Sequence, residues 1–416
     1  MGAVRRHEPR LLIYSQDGLG LGHMRRTSLL AAEFLRQVPG ASALTLSDSP
    51  LGQYFSTAPG HDFLKLPSIR KSGPGEWEAV SLSASFRDVL GLRRRLIATA
   101  VREFDPDILL VDHMPHGAMG ELVPALRKLR GHRAHVVLGL RDIIDDPGVV
   151  RRRWTAEGAY EALEEFYDEV LVYGSSDVLD VASEYAWPQG PSQRLAYAGY
   201  VCGRPHPRAR RLAVVSDGCA EGNGRARQDP MRPPTVVVVA GGGADAHPMM
   251  AGVLDAAEAV HEETGARFEL VTGPFMPREK VAELRRRSKQ LPMTDLRRRV
   301  HGRGRVARAD LVVSMAGYNT TIELLNDGTP ALLVPRSGPS AEQRIRASLF
   351  AQRGWVHWLD PDLLGSSAVA DAIVGALSTP LSPAVGTDLG GRTTAVARLT
   401  SHLESWPKLE LEPVGT

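Results

Sequence analysis

The chain has 416 residues, which is too long for one ordinary hydrophobic core and favours two domains. It carries 50 lysines and arginines against 48 aspartates and glutamates, and the net charge of +2 excludes a strong overall field for nucleic acid. Its two cysteines exclude a disulfide framework and favour a reducing cytoplasm. No long apolar segment follows the first basic residues, so we expect neither a signal peptide nor a membrane anchor.

The first half alternates short apolar runs with helical patterns, as a parallel sheet covered by helices on both faces requires. The apolar runs predict strands at 11–15, 43–47, 108–111, 136–140 and 170–172. Apolar side chains spaced by three or four residues predict a core-facing helix over 86–104. We therefore expect a first Rossmann-like domain at 1–203; the family resemblance described below implies that this domain binds the acceptor.

A glycine-rich turn follows the first predicted strand, in SQDGLGLGHMRR at 15–26. On their own, Gly18, Gly20 and Gly22 also match the fingerprint of a dinucleotide-binding turn, so the glycines alone do not identify the ligand. His23 opens the first predicted helix at the carboxyl edge of the sheet, where α/β proteins bind ligands. We predict that His23 is catalytic or contacts substrate, with helix capping as the alternative, and that Gly22 lies on the acceptor side.

Asp112 ends another predicted strand, in PDILLVDHMPHG, and can reach the same edge of the sheet. An acceptor hydroxyl becomes a good nucleophile when a base with a pKa of about 7 removes its proton. A carboxylate next to a histidine orients such a base and stabilises its charged form. Asp112 is thus a candidate partner of His23, and a structural aspartate at the strand end is the alternative. His113 and His116 are rivals, and His113 is also a candidate for acceptor contact.

An acidic run follows the strand predicted at 136–140, within LGLRDIIDDP. Asp142, Asp145 and Asp146 carry the carboxylates that Mg²⁺ and Mn²⁺ prefer. Helix capping before Pro147 explains them without a metal, and we favour that interpretation. Contact between Asp142 and the acceptor is the main alternative.

The composition changes to proline, arginine, glycine and aspartate after residue 203, and apolar periodicity is missing from 216 to 233. These features predict a flexible linker at 204–234. A new strand begins at Thr235, followed by the triple glycine 241–243, a helix over about 247–263 and a strand over 268–272. We expect a second Rossmann-like domain at 235–385.

The segment ADLVVSMAGYNTTIELLNDGTPALLVP, 309–335, joins two buried strands through a glycine-containing turn and a helix N-terminus. Gly317 permits close approach of the backbone to a ligand, and Asn319 or Thr320 can cap the helix. Free N–H groups in the first helical turn attract phosphate. Glu323 follows the cap by about one turn, so its carboxylate can accept hydrogen bonds from an adjacent ribose. A diphosphate followed by a ribose is half of a nucleotide sugar.

This segment resembles the donor-binding motif of GT-B glycosyltransferases related to family 28, with few gaps between Val236 and Gly354. Its SMAGYNTTIELL, together with GLGLGHMRR and LGLRDIIDDP, is also similar to a bacterial group known only as predicted glycosyltransferases. The resemblance implies an α/β chain of GT-B architecture, in which two doubly wound Rossmann-like domains face each other across a cleft. It also implies that a C-terminal helix within 386–416 packs back on the N-terminal domain.

The resemblance further implies how the second domain holds the donor. An acidic residue at the position of Glu323 holds the ribose, the turn from Ser314 to Thr320 holds the diphosphate, and the polar pair Glu342 and Gln343 contacts the sugar. Three glycines line the floor of the donor cleft, unless they serve only a tight backbone: Gly241, Gly242 and Gly273. Enzymes of this fold usually need no bound metal, so we expect no metal and no other cofactor.

In many inverting GT-B enzymes that act on small acceptors, an early histidine pairs with an aspartate, which implies that His23 and Asp112 do so here. The expected reaction moves a sugar, with inversion, from a nucleoside-diphosphate sugar to an acceptor hydroxyl of a small molecule, natural product or lipid-linked intermediate. A UDP-sugar is favoured. A nucleotide-sugar epimerase and a noncatalytic nucleotide-sugar-binding partner are the alternatives. The arginine runs, as at 93–95, indicate solvated helix faces, with contact to an anionic membrane surface or acceptor as the other interpretation.

Overall fold

The computed structural model describes residues 8–16, 21–50, 57–73, 76–207, 232–298, 304–382, 384 and 387–404. Gly18 and Gly20 of the glycine-rich turn lie outside these ranges, and so do residues 208–231 of the predicted linker. Within them the chain forms two parallel sheets with helices packed on both faces, which is the predicted α/β class.

The first sheet has seven parallel strands in the order β3-β2-β1-β6-β7-β8-β9. They are β1 (Arg10–Ser15), β2 (Ser42–Ser47), β3 (His61–Lys65), β6 (Ile108–Asp112), β7 (His135–Arg141), β8 (Glu169–Tyr173) and β9 (Leu195–Tyr197). A separate antiparallel pair is formed by β4 (Ile69–Gly73) and β5 (Glu76–Ala79). The five strands predicted in this half are all among them, because uninterrupted apolar runs mark strands that are buried on both faces.

The first sheet is covered by seven α-helices: α1 (Gly22–Gln37), α2 (Phe86–Phe104), α3 (Val123–Leu129), α4 (Pro147–Glu157), α5 (Ala159–Phe166), α6 (Val181–Glu184) and α7 (Gln189–Ser192). A short 3₁₀ helix spans Ala118–Gly120. The predicted helix is α2, and its first turn is capped by the side chain of Ser85, which accepts a hydrogen bond from the backbone N–H of Asp88.

The second sheet has six parallel strands in the order β12-β11-β10-β13-β14-β15. They are β10 (Thr235–Val239), β11 (Arg267–Val271), β12 (Thr294–Arg297), β13 (Leu311–Ser314), β14 (Ala331–Leu333) and β15 (His357–Trp358). The helices here are α8 (His247–Thr264), α9 (Arg278–Ser288), α10 (Gly304–Ala307), α11 (Tyr318–Asp327), α12 (Glu342–Gln352) and α13 (Ser366–Ser378), with a 3₁₀ turn at Pro361–Leu363.

The strand order fixes where a ligand can bind. In the first sheet β1 lies between β2 and β6, and in the second sheet β10 lies between β11 and β13, so the order reverses at the centre of each. Crevices form outside the carboxyl ends of the strands at such switch points. These ends lead into His23 and Asp112 in the first sheet and into the turn after Ser314 in the second.

The last helix, α14 (Gly391–Glu404), packs on the first half of the chain, as the resemblance implied. Its Ala395, Val396 and Leu399 are fully buried in one apolar cluster with Leu30 and Phe34 of α1. The same cluster contains residues of the second sheet, so the two sheets share a continuous core. Among the helices in the described ranges, none has the length and apolarity needed to span a bilayer.

Candidate active site

The structure brings His23 and Asp112 together. Asp112 is the last residue of β6 and lies in register with Ser15, the last residue of β1, while His23 is the second residue of α1. The distance from His23 Nδ1 to Asp112 Oδ2 is 2.5 Å. The carboxylate is fully buried and the imidazole is about one-fifth exposed. An aspartate thus holds the inner ring nitrogen of a histidine whose ring reaches the surface.

Arg26 completes this arrangement, although it was not among the predicted site residues. It lies three residues after His23 on α1 and is 1% exposed. Its Nη2 donates to both carboxylate oxygens of Asp112, at 2.7 and 2.9 Å. Burial alone would raise the pKa of Asp112, but Arg26 and His23 hold that pKa well below its usual range. Asp112 is therefore ionised, and its partners are the guanidinium of Arg26 and the imidazole of His23.

His113 lies beside this pair in a left-handed backbone conformation, with φ of 78°. Its ring centroid is 5.5 Å from that of His23. Burial and the nearby Arg141 lower the pKa of His113 well below its ordinary value, so this imidazole is neutral. Its Nδ1 has no hydrogen-bond partner within the described part of the chain. The structure therefore places His113 next to His23, where it remains a candidate for acceptor contact.

His116 faces a different set of charges. Burial lowers its pKa, and the groups that act against this shift are carboxylates on α4 and α5, led by Glu157 and Glu161. The carboxylates of α4 and α5 thus lie among the charges that act on His116, whereas Asp112 acts on His23.

The predicted donor site lies at the amino end of α11. Its N-cap is Gly317, which has an extended backbone and provides no side-chain cap. The helix begins at Tyr318, so the expectation that Asn319 or Thr320 caps it is wrong: both lie in the first turn. No acidic residue occupies this turn. The first N–H groups of α11 are thus left for an anion. Ser314 ends β13 and is buried just before the turn.

Polar contacts of Asn319 and Glu323 join this helix to α1 of the first domain. Asn319 Nδ2 donates to the backbone carbonyl of Gly22 at 2.8 Å. Arg25 Nη2 lies 2.5 Å from Glu323 Oε1. The side chain of Glu323 is 14% exposed and that of Arg25 is 42% exposed, so the ion pair lies at the rim of the cleft. The residue predicted to hold the ribose therefore has a cationic partner from the opposite domain.

The structure places the predicted sugar-binding pair, Glu342 and Gln343, among other partners. Glu342 Oε1 lies 2.6 Å from Arg141 Nη1 and 2.8 Å from Arg346 Nη1. Burial would raise the pKa of Glu342, but these two guanidinium groups lower it to about 2. Gln343 Oε1 accepts a hydrogen bond from the backbone N–H of Arg336 at 3.1 Å. One carboxylate oxygen of Glu342 and the amide oxygen of Gln343 are thus engaged within the protein.

Asp142 lies in the interior, which differs from the acceptor-side position considered for it. Its side chain is fully buried, and its carboxylate accepts hydrogen bonds from the Tyr200 hydroxyl at 2.9 Å and from the Ile143 backbone N–H at 2.8 Å. Burial raises the pKa of Asp142, and Arg346 acts against this shift. Tyr200 and Ile143 occupy the oxygens that an acceptor would need.

The other two acids of this run have separate roles. Asp146 caps α4, because its side chain accepts a hydrogen bond from the Val149 backbone N–H at 3.1 Å. Asp145 accepts one from the Ala341 backbone N–H of the second domain at 2.8 Å. Within the described ranges, no group of three or more histidine, cysteine, aspartate or glutamate side chains is arranged to hold a metal ion.

The glycines of the second domain form two turns packed against each other. Gly241 and Gly273 have φ of 58° and 80°, a conformation that favours glycine. A Cβ on Gly273 would lie 2.6 Å from the Gly241 carbonyl oxygen, and one on Gly242 would lie 3.2 Å from the Phe275 ring. The left-handed backbone is sufficient to explain Gly241, and the left-handed backbone together with close backbone packing explains Gly273. Their place in the donor floor stays a prediction.

Two doubly wound domains, joined through contacts at the carboxyl edges of their sheets, define the GT-B fold. Solved structures agree over nearly the whole chain. The kitacinnamycin glycotransferase is 15% identical, with a TM-score of 0.56 and coverage of 95% of this chain and 96% of that one. MurG of Acinetobacter baumannii is 12% identical, with a TM-score of 0.54 and 95% coverage of both. At such identities these likenesses show the fold.

A structure with another activity has the same fold. The UDP-GlcNAc 2-epimerase of Methanocaldococcus jannaschii is 9% identical, with a TM-score of 0.58 and coverage of 94% of this chain and 99% of that one. The fold therefore does not separate transferase from epimerase.

A family model matches the second domain. Residues 236–383 match the model for the glycosyltransferase family 28 C-terminal domain. No curated protein sequence matches the chain. The chain has the GT-B fold, and its second domain is similar to the C-terminal domain of glycosyltransferase family 28.

Proposed function

We propose that the protein is an inverting glycosyltransferase that moves a sugar from a nucleoside-diphosphate sugar, with UDP favoured, to the hydroxyl of an acceptor. The observation that supports this most strongly is the 2.5 Å contact between His23 and Asp112, next to the uncapped amino end of α11. A base and an anion site on opposite domains are the two parts that a single displacement needs.

The base works through its outer nitrogen. Asp112 accepts the hydrogen bond of His23 Nδ1, so Nε2 is the atom that removes the acceptor's proton. The acceptor oxygen then bonds to the anomeric carbon from the face opposite the diphosphate. The bond from that carbon to the phosphate oxygen breaks, and its electron pair leaves with the nucleoside diphosphate. The proton stays on His23, where the ionised Asp112 stabilises the imidazolium.

The donor is held by α11. Backbone N–H groups of Tyr318, Asn319 and Thr320 bind the diphosphate, which the positive end of the helix dipole stabilises. Glu323, one turn further, accepts hydrogen bonds from the ribose in place of its contact with Arg25. Glu342 and Gln343 would have to leave their present partners before either could bind the sugar.

The proposal is tested first by donor binding. Purified protein is screened against nucleotide sugars and nucleoside diphosphates by thermal stabilisation, and the binding constant of the best one is measured by calorimetry. Glu323→Ala should weaken that binding about tenfold to a hundredfold, because charge-assisted hydrogen bonds to the ribose are lost. Glu279→Ala, an exposed glutamate of α9, is the control and should bind as the wild type does. Unchanged affinity in folded Glu323→Ala would remove the donor assignment.

Turnover then separates the base from the binding site. His23→Ala should keep its donor affinity and lose about 10²–10⁴-fold in rate, the range for loss of a general base. His116→Ala is the matched control and should transfer sugar at a near-normal rate. If His23→Ala also turned over normally, His23 would be only a structural residue of α1.

The epimerase remains the second candidate, because the epimerase structure from M. jannaschii shares the fold over 94% of this chain. An epimerase changes the nucleotide sugar without any acceptor. Incubation of the protein with UDP-N-acetylglucosamine alone, followed by proton NMR of the sugar, decides between them. A new UDP-linked epimer would support the epimerase, and an unchanged or slowly hydrolysed donor would support the transferase.

A further inference from the structure

The ion pair between Arg25 and Glu323 joins a residue of the first domain to the proposed ribose site of the second. The pair is short, at 2.5 Å, but it lies at the rim, where the arginine is 42% exposed. Solvent can take up the charge of the half-exposed arginine when the pair parts, so a ligand can compete with Arg25 for Glu323. A ribose that takes over Glu323 would therefore release Arg25 inside the cleft.

The two helices place the released guanidinium near the diphosphate. Gly22 contacts Asn319 and Arg25 contacts Glu323, so the contacts follow in the same order along α1 and α11. The amino ends of both helices therefore lie on the same side of the interface. Asn319 and Glu323 are separated by one helical turn, about 6 Å. A swing of the long arginine side chain over one turn moves its guanidinium from Glu323 to the first turn of α11.

The electrostatics at this point favour an anion with more than one charge. Each helix amino end carries a partial positive charge of about half a unit. Neither α1 nor α11 has a side-chain cap, and neither has an acidic residue in its first turn. Two such ends repel each other unless an anion lies between them.

The neighbouring arginines already have partners. Arg26 is buried on Asp112, Arg346 donates to Glu342 and to the Ala316 carbonyl, and Arg141 pairs with Glu342. Arg25 differs from them, because its partner is the residue that the donor itself is proposed to bind.

We propose that Arg25 is a catalytic residue of the transfer reaction, exchanged from Glu323 to the donor diphosphate when the ribose binds. Its guanidinium donates hydrogen bonds to the phosphate oxygens that gain negative charge as the bond to the anomeric carbon breaks. No proton is transferred, because arginine stays charged throughout. This inference rests on the proposed transferase function and adds the residue that stabilises the leaving group.

The experiment compares uridine with UDP in the full-length wild type and in Arg25→Gln. Uridine should bind Arg25→Gln as well as the wild type or a few times more tightly, because the ribose no longer competes with Arg25 for Glu323. UDP should bind more weakly, so that the ratio of the two affinities changes by about tenfold. The kcat for transfer should fall about 10²–10³-fold, the usual loss for one hydrogen-bond donor to a developing anion. Arg25→Lys should recover part of this loss.

Two further variants separate catalysis from a structural role. Arg36→Gln removes another arginine of α1 that pairs with a glutamate, Glu33, and it should leave binding and kcat unchanged. In a Glu323→Gln background, Arg25→Gln should still lower kcat. If Arg25 only positioned Glu323, the second substitution would have no further effect, and the proposal would be overturned.

The outcomes also separate this inference from the proposed function. A wild type that binds UDP, with an unchanged affinity ratio and kcat in Arg25→Gln, overturns the role of Arg25 and leaves the transferase in place. A wild type that binds neither UDP nor any other nucleotide overturns both.

Discussion

Replacing Arg26 with methionine should destabilise the first domain, because it leaves a buried carboxylate without its main counterion. Arg26 is 1% exposed, Asp112 is fully buried, and two hydrogen bonds of 2.7 and 2.9 Å join them. Methionine keeps much of the volume between the rings of Tyr173 and Tyr318, whose centroids lie 5.1 and 5.5 Å from the guanidinium carbon. The substitution therefore removes charge and hydrogen bonds more than packing.

The magnitude follows from the burial. Removing one partner of a buried ion pair costs about 3–5 kcal/mol. His23 still donates to Asp112, which favours the lower end of that range, about 3 kcal/mol. For a domain of about 200 residues, each kcal/mol lowers the midpoint of thermal unfolding by about 2–4 °C, so we expect a fall of about 6–12 °C.

Thermal unfolding followed by circular dichroism measures this fall. The double variant Arg26→Met, Asp112→Asn should recover at least half of it, because the uncompensated charge is gone. A fall of less than about 2 °C in Arg26→Met would refute the argument, and so would a double variant that loses the sum of the two single effects.

Three other predictions concern the contacts between the two domains and the question whether activity needs a metal ion. Tyr318→Phe should lower the free energy of unfolding, measured by denaturant titration, by about 1–3 kcal/mol, because the Tyr318 hydroxyl donates to the Tyr173 carbonyl and accepts from the Val201 N–H. Tyr160→Phe is the control and should lower it little, because the Tyr160 hydroxyl has no partner within the described ranges. Above pH 4.5, Glu342→Gln should have a free energy of unfolding about 3 kcal/mol lower than that of the wild type. The difference between the two proteins should vanish as pH falls toward 2, because the Glu342 carboxylate, with its lowered pKa, stabilises the fold only while it is ionised. Transfer activity should survive EDTA, and rescue of an inhibited enzyme by Mn²⁺ would contradict this.

Much of the fold could be predicted from the sequence, because buried parallel strands leave uninterrupted apolar runs. The proximity of His23 and Asp112 could be predicted as well. One follows β1 and the other ends β6, and these strands are neighbours whose carboxyl ends share an edge.

Arg26 was missed because its burial could not be seen in the sequence. Its spacing of three from His23 places both on one face of α1, and this signal was present in the sequence. An arginine on a helix is ordinarily solvated, however, and only the tertiary structure shows that this one is buried.

The partners of Glu342 could not be predicted, because they depend on how the domains approach each other. Arg141 ends β7 in the first domain, and Glu342 begins α12 in the second, about 200 residues later. Neither local propensity nor hydrophobic period contains information on such a contact. The wrong prediction that Asn319 caps α11 is a smaller error, because helix ends read from a sequence are uncertain by one or two residues.

The charges between the domains differ in how easily they can be exchanged, and this difference bears on how a donor enters. The pairs of Glu342 with Arg141 and Arg346 are almost fully buried, and breaking either would leave an uncompensated charge at a cost of about 3–5 kcal/mol. In the pair of Arg25 with Glu323 the arginine is 42% exposed, so solvent can take up its charge and the pair costs less to part. A donor can therefore displace the rim pair while the buried pairs keep the two domains in contact. Ribose and diphosphate would thus be bound by exchange of one side chain, with the interface behind it intact.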